Sequence, residues 1–456
     1  MVLEPLQYDY SPPWKKLWSL QPGMTLLNHG SFGPSPLPVQ EAHFEILRQI
    51  ERHPAEFFFR TREEMLEQVT VRLANYLGTK SDNLLLTSNA TVAMNIVARS
   101  FPLEPGDEVL LTNHEYGAVQ YIWREACQRQ GATFGMAQLP LPITSEAELI
   151  ESLFARVTDR TRLLVVSHVT SPTAITFPVK EICRRARQQN IAVCVDGPHA
   201  LLMHPLHLNE LGCQFYTASC HKWFSAPFGT GFLYVRGEHK ANLTPLLTSW
   251  GRSLSGKPKH WKDPFLWQGT DNDAALLALG ATLDFWNKVG EETFRTYSFG
   301  LIDQVAERIT QLFAQDPLIL PACETRGSLV SIPIGAAPPT DRHIGIPDPL
   351  QTRLLEEYGI EVPIIYWNGL KLIRVSAHLY TEQEDVDRLM TALQNLQGDC
   401  CCAGSGLLLI SESHLNLHGI DFFLNFVKNG LGTKLRELYK PARLHEKTAS
   451  PLIRSV

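Results

Sequence analysis

The chain has 456 residues, a net charge of −6, 19% charged and 44% hydrophobic residues. That is material for two or three domains with large cores, and it gives no support for disorder or for a nucleic-acid or membrane partner. No apolar run approaches the roughly 20 residues of a membrane span, no apolar leader follows Met1, and nine irregularly spaced cysteines suggest reduced thiols in a cytoplasmic protein.

In chain order, Leu26-Leu27-Asn28-His29-Gly30-Ser31-Phe32-Gly33-Pro34 predicts a short strand and a turn, followed by a helix over 39–51. Apolar residues at helical spacing predict a second helix over 63–77, stopped by Gly78. A strand over 84–86 then runs through Thr87-Ser88-Asn89-Ala90-Thr91 into a helix over 92–100. That strand–turn–helix step puts backbone N–H groups and Thr91 at the positive end of a helix dipole, either a plain N-cap or an anion cradle. The strand over 109–112 leads to Asn113-His114-Glu115-Tyr116-Gly117-Ala118, and a helix over 148–157 precedes a strand over 163–168.

The most informative stretch follows. Ile191 to Val195 and Phe215 to Ala218 read as short buried strands, with a helical turn over 201–211 between them. The first ends at Asp196 and the second at Ser219-Cys220-His221-Lys222. As parallel neighbours they bring Asp196 and Lys222 to one sheet edge, where open α/β folds bind ligands. A carboxylate facing an amine across a pocket suits pyridoxal 5'-phosphate (PLP): the lysine forms a Schiff base, and the acid keeps the pyridine nitrogen protonated. His199, His204, His207 and His221 have no recognised metal-ligand spacing, so no metal site is assigned.

Asp196-x-x-His199 with Ser219-x-His221-Lys222-Trp223 resembles the class V aminotransferase family of fold-type I PLP enzymes, which includes cysteine desulfurases and isopenicillin N epimerase. The resemblance implies an α/β fold: a large domain on a mostly parallel seven-stranded sheet, and an α+β small C-terminal domain. It covers about 26–396, with an arm at 1–25, a large domain at 26–288, a small domain at 289–398 and an extension of unknown role at 399–456. It further implies that Ala90, Thr91, Ser219 and His221 hold the cofactor phosphate, that Tyr116 stacks on the pyridine ring and that His199 lies near the ring hydroxyl. Gly269 and Thr270 would reach the phosphate of a second subunit in a homodimer with shared sites.

Asn28 and His29 become candidates at the substrate-side mouth. Arg374, a lone charge in the apolar strand Leu372 to Ala377, needs an anionic partner. In the resembled family this position clamps the carboxylate of a small amino-acid-like substrate, with Lys222 as base and Asp196 stabilising the carbanion. Thr381-Glu382-Gln383-Glu384 predicts a capping box, and residues 398–406 a linker.

Segments 168–182, Val362 to Trp367 and Arg374 to Tyr380 resemble the isopenicillin N epimerase-like branch. The absence of cysteine between Tyr358 and Arg374 removes the nucleophilic thiol that desulfurases carry there. Action at the α-carbon of an amino acid is therefore expected, with C–S lyase and aminotransferase outcomes as alternatives. A binding protein without activity and a metal hydrolase are distant ones.

Overall fold

The computed structural model describes residues 8–251, 259–318, 327–338 and 346–402. Contacts within the chain divide it into Met1–Gly398 and Asp399–Val456, and all that follows concerns the first unit unless stated. Among the described residues, twelve strands run in chain order: β1 (Thr25–Leu26), β2 (Leu84–Thr87), β3 (Glu108–Thr112), β4 (Thr133–Ala137), β5 (Thr161–Ser167), β6 (Ala192–Asp196), β7 (Phe215–Ser219), β8 (Gly231–Val235), β9 (Leu329–Ala336), β10 (Ile360–Glu361), β11 (Ile364–Trp367) and β12 (Leu370–Ser376).

Seven of them form one sheet in the order β2-β8-β7-β6-β5-β3-β4. Only β8 runs against its neighbours; the β7-β6-β5-β3-β4 ladder is parallel. The strands read as unbroken apolar runs because both faces are covered. Leu110, Leu164, Val166, Val193, Val195, Tyr216 and Ala218 join the core on one face. Their alternates Val109, Leu111, Leu163, Val165, Cys194 and Phe215 join the core on the other. The register pairs Ser167 with Asp196 and Asp196 with Thr217, so the carboxyl ends of β5, β6 and β7 open at one edge, as expected.

Gly290, at φ 87°, separates helix Leu279–Val289 from helix Glu291–Phe313. Beyond it lies an antiparallel sheet, β11-β12-β9, with a core of its own from Ile302, Val305, Ile332, Ile373, Val375 and Leu393.

The short strand β1 pairs in parallel with β10, and Leu27 is buried in the second sheet's core. Three local expectations fail. Of the turn expected over 201–211, only Leu208–Leu211 is helical, and Leu201 bridges His204. No capping box forms, because the Thr381 hydroxyl accepts the His378 N–H and Asp385 accepts the Glu382 N–H. The predicted linker begins inside helix Gln383–Cys402, and the rest of it, with the extension from 403 on, lies outside the described residues. Among the described residues, no helix is long and apolar enough to cross a membrane.

Candidate active site

Three strand ends and one strand of the small sheet build the site. Asp196 ends β6, and its carboxylate accepts the Thr217 hydroxyl of β7 at 3.0 Å. Burial pushes its pKa up to about 6, against the pull of Lys222 and that hydrogen bond. Lys222 lies three residues past β7, with Nζ 3.2 Å from His199 Nε2. Burial, with Arg374 adding to it, lowers the lysine to about 8.

The tautomer of His199 follows from its other nitrogen. The Trp223 indole N–H donates to Nδ1 at 3.2 Å, so the neutral ring carries its proton on Nε2, facing Lys222. Burial first, then Lys222 and Arg374, hold His199 well below the ordinary histidine value. The Nε2–H can donate to Lys222 Nζ only while the amine is unprotonated, a state that the lowered lysine pKa brings closer to neutral pH.

At the carboxyl end of β7, Ser219 Oγ accepts the Ala90 N–H at 3.0 Å, joining the strand end to the first turn of helix Ala90–Ser100. Asn89 caps that helix by accepting the Val92 N–H at 2.9 Å. Gly231 permits the close approach: a Cβ there would lie 2.6 Å from the Ala218 carbonyl and 2.8 Å from Asn89 Cα. Thr91 is exposed on this turn, and the buried Nδ1 of His221 has no protein partner.

Arg374, in β12, is 5% exposed. Its Nη1 donates to the Ser171 carbonyl at 2.7 Å and to the Ser171 hydroxyl at 3.1 Å, and Nη2 donates to Ser31 Oγ at 2.7 Å. Its Nε has no partner, and no carboxylate pairs with it among the described residues. Burial lowers it to about 10, with Tyr116 opposing. Tyr116 is 50% exposed and sits at the N-cap of helix Gly117–Gln130.

Other expected residues stand elsewhere. His29 is fully buried, and its two ring nitrogens are taken by Tyr380 Oη at 2.9 Å and the Lys222 carbonyl at 3.1 Å. It therefore presents no group to a substrate, a correction imposed by burial. Asn28 donates to Glu361 at 3.3 Å, with its own buried carbonyl unpaired. Gly269 and Thr270 are exposed, and no contact joins them to Lys222. His168 is a buried strand-end imidazole bonded to Tyr216 Oη at 3.0 Å.

Sequence reasoning passed over Thr217, Ser31, Ser171 and Glu115. The Glu115 carboxylate is 2% exposed and accepts hydroxyls of Thr112 at 2.7 Å and Ser167 at 2.6 Å. Burial raises it to about 7, and Asp196 adds to the rise. Its place directly before Tyr116 was the available signal.

A family model, aminotransferase class-V, matches residues 58–389. An isopenicillin N epimerase of Amycolatopsis lactamdurans is 31% identical over 391 residues, 83% of this chain and 96% of that protein. A cysteine desulfurase of Escherichia coli is 28% identical over 351 residues, 73% of this chain and 82% of its own. Among solved structures, the Escherichia coli cysteine desulfurase CsdA superposes with a TM-score of 0.69 at 21% identity, over 86% of this chain and 99% of that one. The lyase C-DES, solved with glycine linked to its PLP cofactor, superposes with a TM-score of 0.66 at 23% identity, over 82% and 96%.

The residues present fit PLP. A buried amine and a buried carboxylate interact with each other at the strand ends, the first turn of a helix meets Ser219 beside them, and two buried nitrogens, His221 Nδ1 and Arg374 Nε, have no protein partner. The fold, the matched span and this donor set agree: the chain belongs to the class-V aminotransferase family, as a PLP-dependent enzyme of fold-type I.

Proposed function

We propose that this enzyme works at the α-carbon of an amino acid or amino-acid-derived substrate, with an epimerase-like outcome. One observation carries the reading: a buried guanidinium without a carboxylate, Arg374, stands close enough to a buried amine, Lys222, to depress its basicity. A substrate carboxylate supplies the missing charge, which leaves the α-carbon toward the lysine.

In this reading the first turn of helix Ala90–Ser100, with Thr91, Ser219 and His221, would hold the phosphate, and Tyr116 would cover the ring. The bound cofactor supplies an electron-accepting ring that acidifies the α C–H. Lys222, lowered to about 8, is unprotonated often enough near neutral pH to take that proton at Nζ. Asp196, held by Thr217, keeps a proton at the pyridine nitrogen. Arg374 fixes the carboxylate, with Ser31 and Ser171 fixing the arginine.

The epimerase-like outcome is supported by the 31% identity to isopenicillin N epimerase. It is also supported by Cys127, Cys183, Cys194, Cys213 and Cys220, all buried, which present no thiol to a substrate. A homodimer with shared sites belongs to the same reading: Gly269 and Thr270 are exposed on the single chain, and Phe228, 60% exposed, lies 5.8 Å from the His221 ring.

Proton NMR in D₂O with a panel of amino acids and S-substituted cysteines tests this. Loss of the α-proton signal from an otherwise intact substrate supports epimerisation. Appearance of pyruvate makes the enzyme a C–S lyase, and a keto acid formed with loss of the amine makes it an aminotransferase.

A further inference from the structure

Against the backbone carbonyls of Lys222 and Trp223 lies a cluster that the chemistry above does not use. His29 contacts the Lys222 carbonyl through Nε2 at 3.1 Å and Tyr380 Oη through Nδ1 at 2.9 Å. A carbonyl only accepts, so Nε2 carries the proton and the Tyr380 O–H donates to Nδ1. His29 stacks on His378 with ring centres 4.0 Å apart and planes 13° apart. His378 Nε2 in turn lies 3.3 Å from the Trp223 carbonyl and 3.3 Å from Ser225 Oγ, and Ser225 is held at φ 55°. Gly33 closes the arrangement: a Cβ there would fall 2.6 Å from His29 Nε2 and 2.7 Å from the Lys222 carbonyl.

Two segments remote in sequence therefore meet on the backbone of the lysine loop. The second of them, His378 to Tyr380, follows the strand that carries Arg374. Burial keeps His29 neutral, near pKa 3, so this hydrogen-bond chain does not change charge across the working pH range.

We propose that His29, oriented by Tyr380, is a positioning residue that ties the Lys222 backbone to the Arg374 segment, so that amine and guanidinium keep a fixed spacing. This rests on the roles given to Lys222 and Arg374 above. A misplacement of about 1 Å at a reacting group costs on the order of a hundredfold in rate, which is the scale such a tie would protect.

Two substitutions separate positioning from packing. The Gln Nε2 in His29→Gln can still donate to the Lys222 carbonyl; His29→Asn keeps a polar group toward Tyr380 but does not reach that carbonyl. The readouts are the pH profile of Lys222 acylation in the cofactor-free protein, followed by mass spectrometry, and kcat and KM of the PLP-loaded enzyme. The Asn variant, and Gly33→Ala by steric pressure, should move the Lys222 midpoint upward from about 8. They should also lower kcat roughly tenfold or more, with a smaller change in KM; His29→Gln should stay near the parent.

If Asn and Gln variants behave alike, or the Lys222 profile stays put while only Tm falls, His29 is packing and the proposal is overturned. The acylation profile needs neither cofactor nor substrate, so it stands even if the proposed reaction is wrong. That reaction is judged separately, by the NMR assay.

Discussion

Replacing Arg374 by Leu separates recognition from stability. In the substrate-free protein the guanidinium is buried with three hydrogen bonds to two serines and no counter-charge. Those bonds, donated by a charged group, contribute about 1.5–3 kcal/mol each, and the desolvation of an uncompensated buried charge, several kcal/mol, opposes them. The two nearly cancel, so Tm should hold or rise by a few degrees. With substrate bound the balance inverts: losing one member of a desolvated charge pair costs about 2–5 kcal/mol. That corresponds to a fall in kcat/KM of roughly 30- to 4000-fold.

The assay compares an amino acid with its α-carboxamide. The parent should prefer the acid strongly, and Arg374→Leu should erase that preference by loss on the acid alone. Equal losses on both substrates, or a large drop in Tm, would refute the argument that Arg374 awaits a carboxylate. The Lys222 midpoint should also rise in this variant, because Arg374 helps hold it down.

Lys222→Ala should abolish the visible absorbance that PLP gives the parent, while sedimentation and Tm show a folded chain. Asp196, raised to about 6 by burial, binds its proton more tightly folded than unfolded, so its ionisation costs stability above pH 6. Asp196→Asn should then stabilise the cofactor-free protein at pH 7–8, with the gain vanishing by about pH 4, as read from urea midpoints. His29, His114 and His168 are held near 3, and His204 near 4, by burial. Unfolded imidazoles protonate near 6.5, so stability should drop as pH falls from about 6.5 to 3; Asp196 and Glu115 offset only part of that loss. Sedimentation should show a particle of twice the 51.3 kDa chain mass, and Phe228→Arg should dissociate it and weaken cofactor retention.

What the sequence made legible follows from how each feature is encoded. The large sheet announces itself because strands covered on both faces are continuous apolar runs, and Asp196 and Lys222 stand out as charges ending such runs. Arg374 is legible for the same reason. The turn of Ala90 and Thr91 depends on local capping, which sequence records. His29 was misread because its surroundings come from Tyr380 and His378, some 350 residues away, and nothing in Asn-His-Gly-Ser reports that. Ser31 and Ser171 have no periodicity, and only the folded Arg374 makes them specific. β1 is too short, at two residues, for any alternation to name its partner.

The pairing of β1 with β10 bears on how the chain is made. Thr25 and Leu26 leave the ribosome long before their partners, Ile360 and Glu361. The large sheet has every strand it needs by Val235 and can assemble during translation. The segment around β1, with Leu27 due to enter the second core and His29 due to meet Tyr380, must wait unpaired until those later partners have been made. Chain synthesis thus completes the scaffold first and the lysine's support last, so a prematurely truncated product is left with a nascent sheet and no anchored lysine loop.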